Sequence, residues 1–303
     1  MDKQLSLNKV TSALIFGSLL VLSILSTSSV GINYMSKNNI LVANVANAKS
    51  NAERNDIPFI LPLPMQEMTD INPPAMEATA TYATSTVADN FESGLYILRD
   101  GQISPNGKWK DIYTGYGTAG VRQDLNNNEY MYLAPKTSTS SGETHAALLT
   151  TTKLFKDFDL TAKVKTVKQL RQNSPPNNWE TAWIMWNWQD NYHQYSFLLK
   201  KQGFQLEKKD NNKQDDSAEV FLVTQGSPSV KMNTWQNWHI QVTGTGTGTP
   251  HIVVWIDGIK IIDYIDNKTG VPRNSLVMRQ GGFVGLYTED AAVAFDDVII
   301  KPL

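Results

Sequence analysis

Cysteine does not occur anywhere in the 303 residues of this sequence. Its absence excludes disulfide bridges, a thiol nucleophile, zinc sites built on thiolates and the acylated cysteine of a bacterial lipoprotein. Any metal ion would have to be held by oxygen or imidazole ligands. The folded state must also be stabilised by its core alone, for which 41% hydrophobic and 10% aromatic residues are ample.

An excess of positive charge is also missing, because 27 Lys and Arg residues stand against 29 Asp and Glu residues. The net charge of −2 provides no electrostatic footprint for a nucleic-acid backbone, so we expect no nucleic-acid partner. The four histidines, at positions 145, 193, 239 and 251, include no pair at a metal-binding spacing. No nucleophile elbow and no phosphate-binding glycine motif occurs in its required context.

The N-terminus lacks an apolar run of the about 20 residues that a bilayer span needs. Its densest apolar part is Ala13 to Leu25, and Lys3 and Lys9 precede it. A positive segment followed by a short apolar segment is typical of a secretory signal. We therefore interpret residues 1–48 as a signal peptide, with a retained membrane anchor through residues 10–32 as the alternative. Either interpretation predicts a protein that is secreted or displayed on the outer face of the cell envelope.

Residues 49–88 have a different composition from the rest of the chain. They contain five prolines, and the tract ends in ATATYATSTVA. Prolines interrupt regular structure and the Thr/Ala/Ser tract cannot bury a core, so this stretch predicts an extended linker. Residues 89–303 then form the folded domain.

Strands and turns dominate residues 89–303. Apolar and polar residues alternate in 158–166 (FDLTAKVKT), 239–243 (HIQVT) and 259–265 (IKIIDYI), which is the pattern of half-buried antiparallel strands. Asp257-Gly258 lies between two such runs and predicts a tight hairpin turn. No helical stripe competes with this pattern. The fold class predicted from the residues is all-β, with two antiparallel sheets packed as a sandwich.

Four segments occur in an order that resembles one large superfamily: LFKDFDLTAKVKT, WQDNYHQYSFLLKKQGFQLEKKD, WQNWHIQVTG with HIVVWIDGIKIIDYID, and GGFVGLYTEDAAVAFDDVII. Together they are similar to the concanavalin A-like lectin/glucanase superfamily, in particular its laminin-G-like and 3-keto-disaccharide-hydrolase-like branches. The resemblance implies a jelly roll over residues 89–303. It leaves function open, because the superfamily contains lectins, adhesion modules, lyases and glycosidases.

The densest mixture of aromatic and hydrogen-bonding residues is Glu180 to Tyr195, ETAWIMWNWQDNYHQY. Sugars are recognised by flat aromatic faces combined with amide, carboxylate and imidazole groups. On a strand, Trp183 and Asn187 share one face, and one of the two faces is expected to be core. We predict a carbohydrate-binding surface that includes Trp183, Asn187, His193 and Tyr195.

Catalytic carboxylates are harder to find in the sequence. The Glu-x-Asp-x-Glu strand of the glucanase branch is absent, and its substitutes are Glu180, Glu207 and Glu143 from separate strands, each expected to be an ordinary solvent-facing carboxylate. His193 with Tyr195 could serve as the base of a lyase. Two functions stay open: an exported module that binds a polysaccharide or glycoconjugate, or a glycoside hydrolase or polysaccharide lyase on the same fold.

Acidic residues stand at both ends of the predicted domain, Asp89 and Glu92 at its start and Asp296 and Asp297 near its end. The resemblance implies a structural Ca²⁺ where the first and last strands meet, and Ca²⁺ prefers carboxylate and carbonyl oxygens. We therefore predict that these four residues hold one calcium ion that stabilises the fold and takes no part in chemistry.

Calcium should raise the melting temperature of protein that has first been treated with a chelator. An ion at 100 times its Kd stabilises the folded state by about 2.7 kcal/mol, so millimolar CaCl₂ is expected to raise the temperature by several degrees. Asp296→Ala should lower stability. A melting curve that EDTA leaves unchanged would contradict the site.

Overall fold

The structure is a computed structural model that describes residues 80–210, 219–267 and 273–303. The predicted signal or anchor segment and residues 49–79 of the predicted linker lie outside these ranges. Within them, no helix is long and apolar enough to cross a membrane. Pairing begins ahead of residue 89, because Tyr82 forms a bridge with Leu154 and the first strand starts at Val87.

Sixteen strands and two short 3₁₀ turns, Thr245–Thr247 and Met278–Gln280, make up the regular structure of the described ranges. In chain order the strands are β1 (Val87–Asp89), β2 (Tyr96–Leu98), β3 (Trp109–Tyr113), β4 (Thr118–Gln123), β5 (Glu129–Ala134), β6 (Ala146–Thr151), β7 (Phe158–Gln169), β8 (Ala182–Asp190), β9 (His193–Leu199), β10 (Phe204–Asp210), β11 (Glu219–Gln225), β12 (Gln236–Thr243), β13 (His251–Ile256), β14 (Ile259–Ile265), β15 (Phe283–Glu289) and β16 (Ala291–Pro302).

The described strands form two antiparallel sheets. The large sheet has the order β14-β13-β12-β7-β16-β5-β4-β2, with β1 also paired to β16. The small sheet has the order β11-β10-β9-β8-β15-β6-β3. The all-β sandwich of two antiparallel sheets predicted from the sequence is confirmed.

The alternation seen in the sequence fixes the inner face of the large sheet. In β7, Phe158, Leu160, Ala162 and Val164 are buried while the residues between them are partly exposed. The predicted hairpin joins β13 to β14 through Asp257 and Gly258, with φ values of 50° and 80°. Two consecutive positive φ angles twist the turn in the sense that the paired strands require, and glycine adopts this conformation without steric cost.

The centre of the small sheet is buried on both faces. From Ala182 to Gln189 every residue of β8 is buried, and so is every residue of β9. Trp186 and Tyr195 stack in the core between the sheets, with ring centroids 5.6 Å apart and an interplanar angle of 6°. The expectation that β8 has one buried and one open face is therefore wrong.

A bulge at Asn187 changes which residues share a face of β8. Asn187 has a φ of 50°, and the register with β9 shifts between Trp186 and Asp190. As a result Trp188 packs in the same cluster as Trp183 and Met185, although strict alternation would place it on the opposite side. Strict alternation of side chains along β8 therefore assigns Trp188 to the wrong face of the sheet.

One carboxylate in β3 is buried without compensation. Asp111 is fully buried, and neither of its carboxylate oxygens has a hydrogen-bond partner among the described residues. Burial, with a contribution from the negative charge of Asp100, raises the pKa of Asp111 to about 7. The side chain is therefore neutral in the folded state under conditions where it is ionised in the unfolded chain.

Asp111→Asn should stabilise the protein in a pH-dependent way. The folded pKa is above the unfolded value, so the wild type loses stability as pH rises from about 4 to about 7 and no more beyond that. At pH 8 the variant should gain at most about 4 kcal/mol in the free energy of unfolding, and near pH 4 it should gain little. Urea denaturation at the two pH values checks this, and an equal gain at both would contradict it.

Candidate functional site

The outer face of the small sheet carries the largest group of chemically useful side chains. Strand register places Glu207, Ser196, Met185 and Gly285 in one row across β10, β9, β8 and β15. The next row contains Gln205, Leu198, Trp183, Tyr287 and Leu148. The same side of the sheet also carries Glu219, Lys209, Gln194, Tyr113 and Glu289. We call the two rows together with these five residues the small-sheet face.

Aromatic side chains form the floor of the small-sheet face. Trp183 and Tyr287 meet edge to face, with centroids 5.3 Å apart and an angle of 74°. They pack with Leu148, Met185 and Leu198 in a cluster separate from the main core. The indole Nε1 of Trp183 donates to the carbonyl of Trp179, which fixes the ring. Both rings are buried in this structure, with 6% of Trp183 and 7% of Tyr287 exposed.

Glu207 lies in this floor at the β10 side. Its Oε2 accepts a hydrogen bond from Gln205 Nε2 at 2.6 Å, and its Oε1 has no donor among the described residues. Burial raises the pKa of Glu207 well above its usual value, and the negative charge of Glu219 on the neighbouring strand adds to the effect. Both effects favour the protonated form of Glu207.

A second carboxyl group lies across the sheet on β15. Glu289 accepts a hydrogen bond from the hydroxyl of Tyr287 at 2.6 Å. Burial raises the pKa of Glu289, while this hydrogen bond and the charge of Lys209 oppose the rise. The charge of Glu289 in turn contributes to the raised pKa of Glu207, so the two groups are electrostatically coupled. Burial also raises the pKa of Tyr287 well above its usual value, so its phenol stays protonated and acts as a donor.

This arrangement is suited to proton transfer. General acids and bases are most effective when their pKa lies near the working pH, and burial moves Glu207 and Glu289 in that direction. Neighbouring carboxylates raise both pKa values further, while Gln205 opposes the rise for Glu207, and Tyr287 and Lys209 oppose it for Glu289. Two buried carboxyl groups on one face are candidates for the acid and the base roles.

Arg171 forms a buried clamp at the rim of this face. Its Nε donates to Glu180 Oε1 and its Nη2 to Asp290 Oδ2, both at 2.6 Å. Its Nη1 donates to the carbonyl oxygens of Ser140 and Glu143. Because Asp290 follows Glu289 directly, the clamp fixes the end of β15 that carries the second carboxyl group.

The predicted catalytic residues have environments that differ from those expected. Glu180 is fully buried and paired with Arg171, and Glu207 is 2% exposed, so the expectation of solvent-facing carboxylates is wrong for both. Glu143 is partly exposed and accepts from the backbone N–H and hydroxyl of Thr139. Of these, only Glu207 lies on the small-sheet face. Glu180 accepts a hydrogen bond from Arg171 in the buried clamp.

The four predicted carbohydrate ligands are not brought together. Trp183 lies on the small-sheet face, whereas Tyr195 points into the space between the sheets, where its hydroxyl donates to Asp266 Oδ2 at 2.5 Å. His193 shares the parity of Tyr195, and its Nδ1 lies 2.9 Å from an Asp190 carboxylate oxygen.

Asn187, the fourth predicted ligand, is occupied at the bulge. Its Nδ2 donates to the carbonyl of Met278 and it is 1% exposed.

Sequence reasoning missed Gln194, Gln205, Tyr287 and Glu289 as members of the small-sheet face. The sequence does contain a signal for Gln205, because Gln205 and Glu207 alternate with the core residues Phe204 and Leu206 along β10.

The predicted calcium residues are engaged by protein donors. Asp89 accepts from the indole of Trp109 and from an amide side chain, and Glu92 accepts from a backbone N–H. Asp296 accepts from an amide side chain and a backbone N–H, and Asp297 pairs with a lysine at 2.7 Å. No group of three or more His, Asp or Glu residues in the described ranges is arranged to hold a metal ion. Calcium binding stays a prediction.

Comparison with known proteins identifies relatives of this chain. Residues 96–301 match the family model of the 3-keto-alpha-glucoside-1,2-lyase-like domain, which agrees with the superfamily that the sequence resembles. No curated protein matches the chain.

Three solved structures illustrate the similarity of fold. The carbohydrate-binding module CBM66 from Bacillus subtilis is 12% identical, with 64% of this chain and 95% of that chain covered and a TM-score of 0.42. The Crh5 transglycosylase in complex with NAG is 11% identical, with 74% and 86% covered and a TM-score of 0.46. A mutant of the alginate lyase Aly36B in complex with alginate trisaccharide is 10% identical, with 72% and 98% covered and a TM-score of 0.45.

Removing the clamp cation should strongly destabilise the domain. Arg171→Met leaves Glu180 and Asp290 buried without their partner, and such a loss typically costs about 3–5 kcal/mol in the free energy of unfolding. The matched control is Lys260→Met, because Lys260 and Asp263 form an ion pair that is about half exposed and should contribute at most about 1 kcal/mol. Urea denaturation measures both, and equal losses would show that the clamp is not a buried network.

Proposed function

The chain belongs to the 3-keto-alpha-glucoside-1,2-lyase-like domain family, and from this premise we propose that it cleaves a glycosidic bond in a carbohydrate bound on the small-sheet face. Its fold is a carbohydrate-binding or glycan-active jelly roll. The observation that carries the proposal is the pair of Glu207 and Glu289, two coupled carboxyl groups with raised pKa values beside an aromatic floor.

The family description names a reaction that needs two proton transfers. In a 3-keto-glucoside the ketone at C3 makes the proton at C2 acidic. A base removes that proton, the electron pair forms the C1=C2 double bond, and the bond from C1 to the glycosidic oxygen breaks. The leaving oxygen then takes a proton from an acid. An elimination of this kind needs one base and one acid positioned on the same bound sugar.

The residues of the small-sheet face fit these roles. Glu207 is the acid, since burial and Glu219 keep its proton in place. Glu289 is assigned the base, since the hydroxyl of Tyr287 and the charge of Lys209 oppose the rise in pKa that burial causes. Glu219 stands beside Glu207 on the neighbouring strand, whereas Glu289 lies on β15, across β8 and β9, so we assign the base to Glu289.

Binding without cleavage is the competing function that the sequence left open, and the site argues against it. A surface that only holds a sugar gains nothing from carboxyl groups whose ionised form is disfavoured by burial. Aromatic faces with neutral hydrogen-bonding groups would be sufficient. We therefore favour cleavage, with binding alone as one outcome of the test.

Export belongs to the same proposal. The predicted signal or anchor segment supports a secreted or surface-displayed protein, and its substrate would then be an extracellular polysaccharide or glycoconjugate. Because the domain has no cysteine, its folding does not depend on the redox state of that environment.

The full chain is expected to release the aglycone from an aryl 3-keto-α-glucoside, with the absorbance of an unsaturated ketone appearing at the same rate. Glu207→Gln and Glu289→Gln should each lower kcat by about 10²- to 10⁴-fold, the usual contribution of a general acid or base. Asp263→Asn, an exposed residue on β14 of the large sheet, is the control and should keep full activity. The wild-type rate should fall at high pH as Glu207 loses its proton and at low pH as Glu289 gains one.

Each alternative result has a definite meaning. Binding of the glycoside without turnover would replace the proposal by a carbohydrate-binding module. Aglycone release with a reducing sugar and no unsaturated ketone would indicate hydrolysis. Full activity of Glu207→Gln would remove Glu207 from the mechanism.

A further inference from the structure

A surface groove of about 510 Å³ lies on the outer face of the large sheet, on the opposite side of the core from the small-sheet face. It crosses β1, β16, β7 and β12 and ends at the turn before β14. Its polar lining includes Asn90, Thr161, Lys163, Asn237, His239 and Asp297. We call it the large-sheet groove. None of its residues takes part in the proposed cleavage.

Two aromatic pairs lie on the same outer face: one includes the lining residue His239, and the other lies beyond the lining. His239 and Trp255 stack with centroids 4.3 Å apart and an angle of 14°. Trp235 and Tyr130 meet edge to face at 5.9 Å. All four rings are only partly buried, and Lys165 Nζ covers one face of Trp235 at 4.3 Å from the ring centroid. Trp235 and His239 are four residues apart along the chain, which corresponds to about 13 Å at the rise of a strand.

The charges of the groove are neutralised within the protein. Lys163 Nζ lies 2.7 Å from Asp297 Oδ2, and His239 Nε2 lies 2.8 Å from Asp159 Oδ2. An ionic ligand would have to compete with these pairs. A neutral ligand with many hydroxyl groups can instead form hydrogen bonds with the amide of Asn237 and the hydroxyl of Thr161. The two ion pairs can form further hydrogen bonds with its hydroxyl groups without being broken.

From this combination we propose that the large-sheet groove is a second carbohydrate-binding site, specific for a neutral oligosaccharide. The aromatic rings on this outer face suit the apolar faces of sugar rings, and the polar lining of the groove suits the hydroxyl groups. A volume of this size is typical of a site for a small ligand and holds a short oligosaccharide. The site holds a polymer on the face opposite the cleavage site.

The test uses the full chain carrying Glu207→Gln, so that no polymer is degraded. Its migration is measured in native gels that contain laminarin, mannan, galactomannan, xyloglucan or hydroxyethylcellulose, with alginate as a charged comparison. At least one neutral polymer should retard it. His239→Ala and Trp235→Ala should each weaken that binding by about tenfold or more, as expected for aromatic contacts at the centre of a site.

Controls separate this site from the small-sheet face and from misfolding. Ile97→Ala, an exposed residue on the same sheet, should leave retardation unchanged. Trp183→Ala measures how much of the retardation is due to the small-sheet face. Asn237→Ala removes an exposed amide with no effect on the core, so its weaker binding would stand even if an aromatic variant were unstable.

Three results would overturn the proposal: retention by alginate alone, retention by no polymer, or binding that Trp183→Ala abolishes and His239→Ala leaves intact. The aglycone-release assay on the wild type is independent of all three, so failure of this site and failure of the cleavage proposal can be told apart.

Discussion

Packing between the two sheets determines which side chains reach the outer face of the small sheet. Ile184, Phe197 and Leu206 enter the common core, and each is followed or preceded by a residue that must point the other way. Met185, Ser196 and Glu207 are therefore placed by their neighbours and not by contacts of their own. A slip of one residue in any of these strands would exchange the two sets, at the cost of burying charged groups in the core. The chemistry of the face thus depends on the apolar residues behind it.

The sandwich contains two different solutions to buried charge. At the rim, Arg171 lies between Glu180 and Asp290 and donates a hydrogen bond to each at 2.6 Å. On the small-sheet face, Glu207 has no ion pair among the described residues, and burial with the charge of Glu219 raises its pKa. A paired carboxylate contributes rigidity, whereas an unpaired one keeps a proton available for transfer. The two clusters are neighbours in the fold and differ mainly in this respect.

Much of the fold could be predicted from local patterns, and most of the site could not. The alternation in β7 and the Asp257-Gly258 turn depend on residues close in sequence, and the structure has both. β8 is buried on both faces, so its composition does not indicate which face carries the site. Asn187 then shifts the register within the segment that looked most promising. Glu207 and Glu289 share a face because β15 is inserted between β8 and β6, a long-range feature that no short motif reveals.

The pairing of β1 with β16 determines how the domain responds to mechanical load. β16 lies in the interior of the large sheet, and β1 joins it through three residue pairs, Val87 with Ile300, Ala88 with Ile299 and Asp89 with Val298. A pull on the chain ahead of β1 first loads the bridge between Tyr82 and Leu154, and then enters the sheet beside an inner strand and not at a free edge. Since the connecting hydrogen bonds lie across the strand direction, a pull along β1 loads them together in shear. The load would then pass from β16 into β7, because the two strands are paired along nearly the whole length of β7.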